Sequence, residues 1–168
     1  RTLAVPEAVN VMADEFAALP LEADDRGQTT VGVLSFASPD GATVLGERMA
    51  HELSVALARR YGGGEVRVIT RYHLDDLLQE QGMSLLDSFE PSDVPQVGRL
   101  LGADYLIMGL LSPEPDAVHM SAQMLSVADV NQIVGRVLKK AKPPGYVFTK
   151  GDFYPAGTRP GPTAGVPK

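Results

Sequence analysis

The spacing of hydrophobic positions changes between two periods along the chain, and each period predicts a different element. Four segments repeat apolar residues every three or four positions, which is the period of an amphipathic helix. These helical segments are residues 6–19, 43–60, 71–81 and 95–101. Five other segments are short apolar runs or alternate apolar with polar residues, as strands do. These strand segments are residues 29–36, 66–70, 105–111, 118–125 and 133–138.

The order of these segments predicts the fold class. A helix leads the chain, strands and helices then alternate, and three strands follow one another at the end. We therefore predict an α/β (α+β) domain, built on a mixed sheet of about five strands with helices packed on at least one face. The last strands are expected to form an antiparallel meander.

The most informative stretch is residues 99–111, with the sequence RLLGADYLIMGLL. Gly102 lies where a helix ends in a left-handed residue, a conformation that glycine adopts at little cost. Residues 105–111 include no charged residue, which predicts a strand that is central in the sheet and buried on both faces. The stretch therefore predicts an α/β domain but no chemistry.

Composition divides the chain into three parts. Residues 1–28 are predicted to form an amino-terminal helix and an acidic connector, and residues 29–142 a single α/β domain. Residues 143–168 contain five glycines and six prolines and cannot bury enough apolar surface to fold alone. We predict that this extended tail contacts either its own domain or a neighbouring protein. The candidate contacts are four aromatic residues, namely Tyr146, Phe148, Phe153 and Tyr154.

Charge and composition narrow the classes of function. The chain has 168 residues and a net charge of −6. An acidic protein is a poor candidate for broad nucleic-acid binding, which needs a basic face. This sequence contains no cysteine, so it offers no thiolate nucleophile, disulfide or cysteine-based zinc site. No apolar run approaches the ~18 residues that a membrane helix needs.

The three histidines do not have the spacing of a metal site. His51, His73 and His119 fall on different predicted elements, and none has a second ligand at a metal-binding spacing on the same element. Glu47 lies four residues before His51, a spacing that favours a solvent-exposed pair on a helix. We therefore predict no metal site.

The remaining polar motifs also favour structural roles. Asp75, Asp76 and Glu80 form an acidic face near a helix start, where acidic residues are stabilising. The three glycines at 62–64 follow a helix, whereas phosphate-binding loops follow a strand. The turn at 38–41 lacks the glycine spacing and the lysine of such a loop. We therefore predict no catalytic residue, no cofactor and no enzyme activity.

Several segments together resemble a known group of periplasmic proteins. They are VGVLSF at 31–36, ALARR at 56–60, VRVI at 66–69, LDDLLQEQG at 74–82 and LLGADYLIMG at 100–109. The pattern is similar to the α/β domain shared by FlgO flagellar outer-membrane lipoproteins, CsgG curli secretion lipoproteins, the TolB amino-terminal domain and LpoB-type activators of peptidoglycan synthases. The resemblance covers residues 29–140, and the leading helix at 6–19 favours the FlgO type.

The resemblance implies a non-enzymatic protein of the periplasm that is associated with the outer membrane. Its expected partners are other envelope or flagellar proteins and further copies of itself, for which a ring is one expected arrangement. Membrane attachment would use only a lipid anchor, for which this chain contains no cysteine. Our first hypothesis is a FlgO-like component of the flagellar basal body that acts through protein contacts.

Two alternatives stay open. The first is a lipoprotein activator of a peptidoglycan synthase or a CsgG-like secretion accessory, which also acts through protein contacts. The second belongs to another class, a module that binds a small ligand or nucleic acid, because the predicted fold also resembles anticodon-binding domains. The acidic net charge disfavours nucleic acid as the ligand.

Overall fold

A computed structural model gives the fold of most of the chain. It describes residues 2–3, 5–22, 27–38, 41–85, 87, 89–114, 117–129 and 133–141. Tyr146, Phe148, Phe153 and Tyr154 lie outside the described residues, as does the rest of 142–168. The extended tail and its aromatic contacts therefore stay predictions.

The described residues contain four α-helices, close to where the apolar periodicity predicts them. They are α1 (Val5–Ala17), α2 (Val44–Tyr61), α3 (Arg71–Glu80) and α4 (Val94–Leu101), the last preceded by a 3-10 turn at Pro91–Asp93. Thr43 and Thr70 cap the amino-terminal ends of α2 and α3, because the hydroxyl of each accepts a hydrogen bond from a backbone N–H in the first turn. Gly102 ends α4 in the left-handed conformation, as predicted. None of these described helices is long and apolar enough to cross a membrane.

The described strands form one sheet, which confirms the predicted mixed sheet of about five strands. The main strands are β2 (Thr29–Ser38), β4 (Val66–Val68), β5 (Tyr105–Pro113), β6 (Val118–Ser126) and β7 (Ile133–Ala141). Two-residue strands, β1 (Thr2–Leu3) and β3 (Gly41–Ala42), add to it by pairing with β7 and β2. β2 pairs in parallel with β4 and β5, whereas β5, β6 and β7 form the predicted antiparallel meander. β5 lies between β2 and β6 and is the central strand, as predicted.

Helices cover both faces of the sheet. Leu106 and Ile107 are consecutive in β5, so their side chains point to opposite faces, and each belongs to a different core. The core around Ile107 includes Phe16 of α1 and Leu53 of α2. The smaller core around Leu106 includes Leu74 of α3 and residues of α4. The domain therefore has three layers, with α1 and α2 on one side of the sheet and α3 and α4 on the other.

α1 shares its core with α2 and the sheet, and polar contacts also hold it there. The Arg60 guanidinium at the end of α2 donates hydrogen bonds to the Asp14 carboxylate at 2.6 Å and the Asn10 carbonyl oxygen at 3.3 Å. Lys139 of β7 forms an ion pair with Glu15 at 3.2 Å. Exposed ion pairs contribute only about 0–1 kcal/mol, so the buried apolar face of α1 provides most of the attachment.

Asp104 connects three parts of the sheet at the start of β5. Its carboxylate accepts a hydrogen bond from the Thr30 N–H at 2.8 Å, and its own N–H donates to the Thr30 carbonyl oxygen at 2.8 Å. The Val127 N–H, just after β6, donates to the Asp104 carbonyl oxygen at 3.0 Å. The neighbouring Tyr105 hydroxyl accepts a hydrogen bond from the Glu22 N–H at 3.2 Å. This short segment therefore aligns β2, β5 and β6 and holds the connector after α1.

The prediction that residues 105–111 are buried on both faces is wrong near the end of β5. Leu106 and Ile107 are fully buried, but Leu110 is 58% exposed and Met108 is half-buried. The reason is the limited reach of the second helical layer, because α4 packs beside Leu106 and the buried residues of its core stop short of Leu110. One face of the sheet is therefore open at this end.

Candidate interaction surface

The open part of the sheet presents two rows of side chains. Strand pairing aligns Leu110 with Ser121 and Ser121 with Leu138, so these residues form a row across β5, β6 and β7. Leu138 is 67% exposed and Leu110 is 58% exposed, so the described residues leave both leucines of the row accessible to solvent. The next row on the same face consists of Met108, Gln123 and Arg136. We call these six residues the open face.

All six residues of the open face line a cleft with a volume of about 620 Å³. Residues of β2 line the same cleft, as do Asp87, Phe89, Glu90 and Pro91. Single exposed leucines are ordinary on protein surfaces, but two in one row that line a cleft are characteristic of a binding surface. Binding clefts commonly enclose roughly 300–1,000 Å³, so this cleft accommodates a few side chains of a partner or one small molecule.

Two local hydrogen bonds shape the segment on either side of Phe89, which lines the cleft. The Asp87 carboxylate accepts a hydrogen bond from the Ser84 N–H at 2.9 Å, and the Asp93 carboxylate accepts one from the Glu90 N–H at 2.8 Å. Phe89 is half-buried against the smaller core and contributes an aromatic ring to the cleft lining. The segment therefore presents one apolar ring and the exposed carboxylates of Asp87 and Glu90.

A buried polar cluster supports the cleft from behind. Arg71 of α3 is only 8% exposed, and its guanidinium donates a hydrogen bond to the Val33 carbonyl oxygen at 2.5 Å. It also donates to Glu47 of α2 at 2.9 Å and to the Ser35 hydroxyl at 3.2 Å. The Ser35 hydroxyl contacts Glu47 and lies 2.8 Å from the Leu85 carbonyl oxygen. Ser35 lines the cleft, so the cluster fixes one side of it to β2, α2 and α3.

The structure does not bring the three histidines together in a metal site. Glu47 pairs with Arg71 instead of His51, so the predicted helix pair is wrong, because α3 supplies a buried cation at the right distance. His119 contacts the Glu114 carboxylate at 2.9 Å, a partner from the loop before its strand. Within the described residues, no three histidine, cysteine, aspartate or glutamate side chains lie close enough together to hold a metal ion.

The acidic residues of α3 lie on its outer surface. Asp75 accepts a hydrogen bond from the Gln79 amide at 3.0 Å, and Asp76 and Glu80 are exposed. None of the three is among the described residues that line the cleft of the open face. This arrangement supports the interpretation of a solvated helix face.

Tyr61, at the end of α2, has a hydroxyl with a shifted pKa, but it is not among the described residues that line the cleft. Burial raises the pKa of its hydroxyl above the usual value of 10.0. The hydroxyl has no hydrogen-bond partner among the described residues, and the ring packs against the larger core. We assign Tyr61 a structural role.

Sequence reasoning missed the open face as a site. Its only signal was the alternation in β6, where Ser121 and Gln123 alternate with buried residues and indicate a polar face. Nothing in the sequence pattern indicated that Leu110 and Leu138 are exposed, because a leucine in a hydrophobic run predicts burial.

The fold agrees with comparisons to known proteins. The sequence profile of the family described as "Curli production assembly/transport component CsgG" matches residues 23–113. No curated protein sequence shows a significant match to this chain. The matched region runs from the connector after α1 to the end of β5, so it includes the segment around Asp104.

Several solved structures share this fold. The C-terminal domain of LpoB from Salmonella enterica has a TM-score of 0.64 and 18% identity, over 83% of this chain and 98% of that domain. The same domain from Escherichia coli has a TM-score of 0.63 and 19% identity, over 83% and 98%. Lipoprotein GNA1162 from Neisseria meningitidis has a TM-score of 0.55 and 12% identity, over 73% and 86%. At these identities the likeness concerns the fold alone.

Proposed function

Because this chain belongs to the CsgG family, we propose that it is a non-enzymatic protein of the cell envelope that acts by contacting other proteins. We propose further that it works in the periplasm, in association with the outer membrane. The description of the family as an assembly and transport component supports a role in building an envelope structure. The observation that carries the proposal is the open face, which offers an apolar surface for a partner.

The open face has the composition of a small protein interface. Leu110 and Leu138 lie on the same row, with the polar side chains of Ser121, Gln123 and Arg136 beside them. Interfaces concentrate binding energy in a few apolar residues that polar residues surround. Burying an exposed leucine contributes about 1.5–3 kcal/mol, so two leucines provide a useful part of the affinity of a partner.

The finer proposal is a FlgO-like component of the flagellar basal body. An LpoB-type activator of a peptidoglycan synthase and a CsgG-like secretion accessory are the alternatives within the same class. All three act through protein contacts, so the identity of the partner separates them. We also propose self-association, since open sheet faces with exposed leucines suit contacts between copies.

In-cell photo-cross-linking tests the proposal. A photo-reactive benzophenone amino acid replaces Leu138 on the open face or, as a control, Tyr72, which is 81% exposed on α3. We expect protein adducts of higher mass from position 138 and few from position 72. Mass spectrometry of the adducts identifies the partner as flagellar, cell-wall, secretion-related or a second copy. Equal adducts at both positions, or none at position 138, would contradict the proposal.

A small apolar ligand is a second candidate, of another class. The volume of the cleft, about 620 Å³, and its two exposed leucines favour it. Native mass spectrometry of the protein purified from its own host tests this candidate. A bound mass that Leu138→Arg abolishes would support it, and an unliganded protein would argue against it.

A further inference from the structure

The described chain ends beside the cleft. Leu138 lines the cleft, and Ala141, three residues later, is the last residue of β7. Three residues of strand span about 10 Å. Tyr146 follows Ala141 by five residues, and a chain of that length spans at most about 17 Å, so Tyr146 is within reach of the open face.

The sequence after β7 contains aromatic residues that suit the apolar surface of the cleft. The Pro-Gly pair at 144–145 is a turn signal, which favours a change of chain direction soon after β7. Tyr146 and Phe148 are two residues apart, a spacing that puts both side chains on one side of an extended segment. The glycine and proline content of residues 143–168 predicts too little apolar burial for these rings to form a core of their own. Leu110 and Leu138 provide an apolar surface for them.

Charge complements this apolar match. The exposed carboxylates of Asp87 and Glu90 line the cleft together with one cation, Arg136, so the described lining carries two negative charges and one positive charge. Residues 143–168 contain three basic residues and one acidic residue, whereas the whole chain carries a net charge of −6. Lys150 lies between the two aromatic pairs of the tail, so a segment in the cleft brings it toward the acidic side. Opposite charges of this kind favour association of the tail with the domain.

From these observations we infer that residues 146–154 occupy the cleft of their own molecule, with aromatic side chains against Leu110 and Leu138. The covalent link at Ala141 gives the segment an effective concentration on the order of millimolar, so weak contacts are sufficient. A separate copy in dilute solution is present at a much lower concentration. A partner then reaches the open face only by displacing the segment, and in this respect the inference rests on the proposed function.

The composition of the chain permits a clean fluorescence test. The protein has no tryptophan, so Phe148→Trp in the full chain introduces a single indole. We expect its emission to be blue-shifted and its quenching by acrylamide to be several-fold weaker than that of Tyr72→Trp, whose position is 81% exposed. Because the contact is within one molecule, the shielding should not change on dilution.

A second substitution locates the contact. Leu138→Arg, combined with Phe148→Trp, should raise the quenching to the level of Tyr72→Trp. Ile133→Arg is the matched control, because Ile133 is also exposed on β7, at 46%, but is not among the described residues that line the cleft. It should leave the quenching low. Leu110→Arg repeats the test from β5, and circular dichroism verifies the fold of each variant.

Three outcomes would overturn the inference. They are an indole at position 148 that is as exposed as the one at position 72, shielding that disappears on dilution, and equal effects of Leu138→Arg and Ile133→Arg. Shielding lost on dilution would identify a second copy as the occupant. The measurement uses the purified chain alone, whereas the proposed function is tested by cross-linking in cells, so each can fail without the other.

Discussion

The Asp104 carboxylate accepts a hydrogen bond from the Thr30 N–H at 2.8 Å, although 74 residues separate the two in the chain. The contact lies where the parallel pairing of β2 with β5 begins, one residue before Val31 pairs with Tyr105. An ionised acceptor makes such a hydrogen bond about twice as strong as a neutral one. The Leu-Gly-Ala-Asp-Tyr segment therefore contributes to the alignment of strands.

Removal of this carboxylate should destabilise the domain. We expect Asp104→Ala to lower the free energy of unfolding by about 1–3 kcal/mol, since the Thr30 N–H loses its acceptor at the edge of the core. Asp104→Asn retains an oxygen at the same place and should lose clearly less. Urea denaturation followed by circular dichroism measures both. Equal losses for the two variants would mean that the hydrogen bond is not the cause.

Replacing Gly109 with alanine should also destabilise the domain, because the added methyl group would overlap the ring of Phe36. A Cβ at Gly109 would lie 2.5 Å from Phe36 Cγ, closer than two carbon atoms can approach. We expect Gly109→Ala to cost about 1–3 kcal/mol through this overpacking. Phe36→Leu makes room, so the double variant should lose less than the sum of the two single losses. Strict additivity would exclude the clash.

Substitution of Arg71 should destabilise the domain, because Arg71 joins α3 to β2 and α2. Arg71→Met removes donors to the Val33 carbonyl oxygen and to Glu47, and we expect a loss of about 1–3 kcal/mol in unfolding free energy. Arg71→Lys keeps the charge but not the planar fork, so most of the loss should persist. Chemical denaturation measures the three proteins side by side. Full recovery with lysine would show that charge alone matters.

The buried Tyr61 hydroxyl predicts a difference in stability at alkaline pH. Its pKa in the folded state is raised above 10.0 by burial, so the unfolded chain releases this proton first. The folded protein therefore loses stability as the pH rises above the unfolded value. Tyr61→Phe removes this loss. At neutral pH it should be neutral or stabilise by about 1 kcal/mol, because the hydroxyl has no partner among the described residues.

Thermal unfolding from neutral to alkaline pH tests this prediction. The midpoint of Tyr61→Phe should exceed that of the parent protein by a margin that grows above pH 10. Tyr72→Phe is the control, because Tyr72 is 81% exposed, and it should follow the parent protein. If all three proteins lose stability in parallel, Tyr61 is not responsible.

The elements of the fold were predictable because they depend on local patterns. The alternation of Met120, Ala122 and Met124 with polar residues identified one covered face of β6, and all three are buried. Gly102 marked the end of α4 because glycine alone among common residues adopts its conformation at little cost. These signals lie within a few residues of the feature that they predict.

The candidate site was not predictable because it depends on where elements end in space. Leu110 is exposed since α4 covers the sheet only near Leu106, and no pattern in β5 records the reach of a helix. Glu47 pairs with Arg71, 24 residues away, instead of with the histidine one turn along its own helix. Both facts are consequences of tertiary packing, which a single sequence does not display.

The pairing of β1 with β7 brings the two ends of the described domain to one corner of the sheet. Thr2 pairs with Lys140 and Leu3 with Ala141, in parallel. A tether attached before Thr2 and a tether attached after Ala141 would therefore hold the domain at nearly the same point. Whichever end is anchored, the cleft therefore lies at about the same distance from the point of attachment.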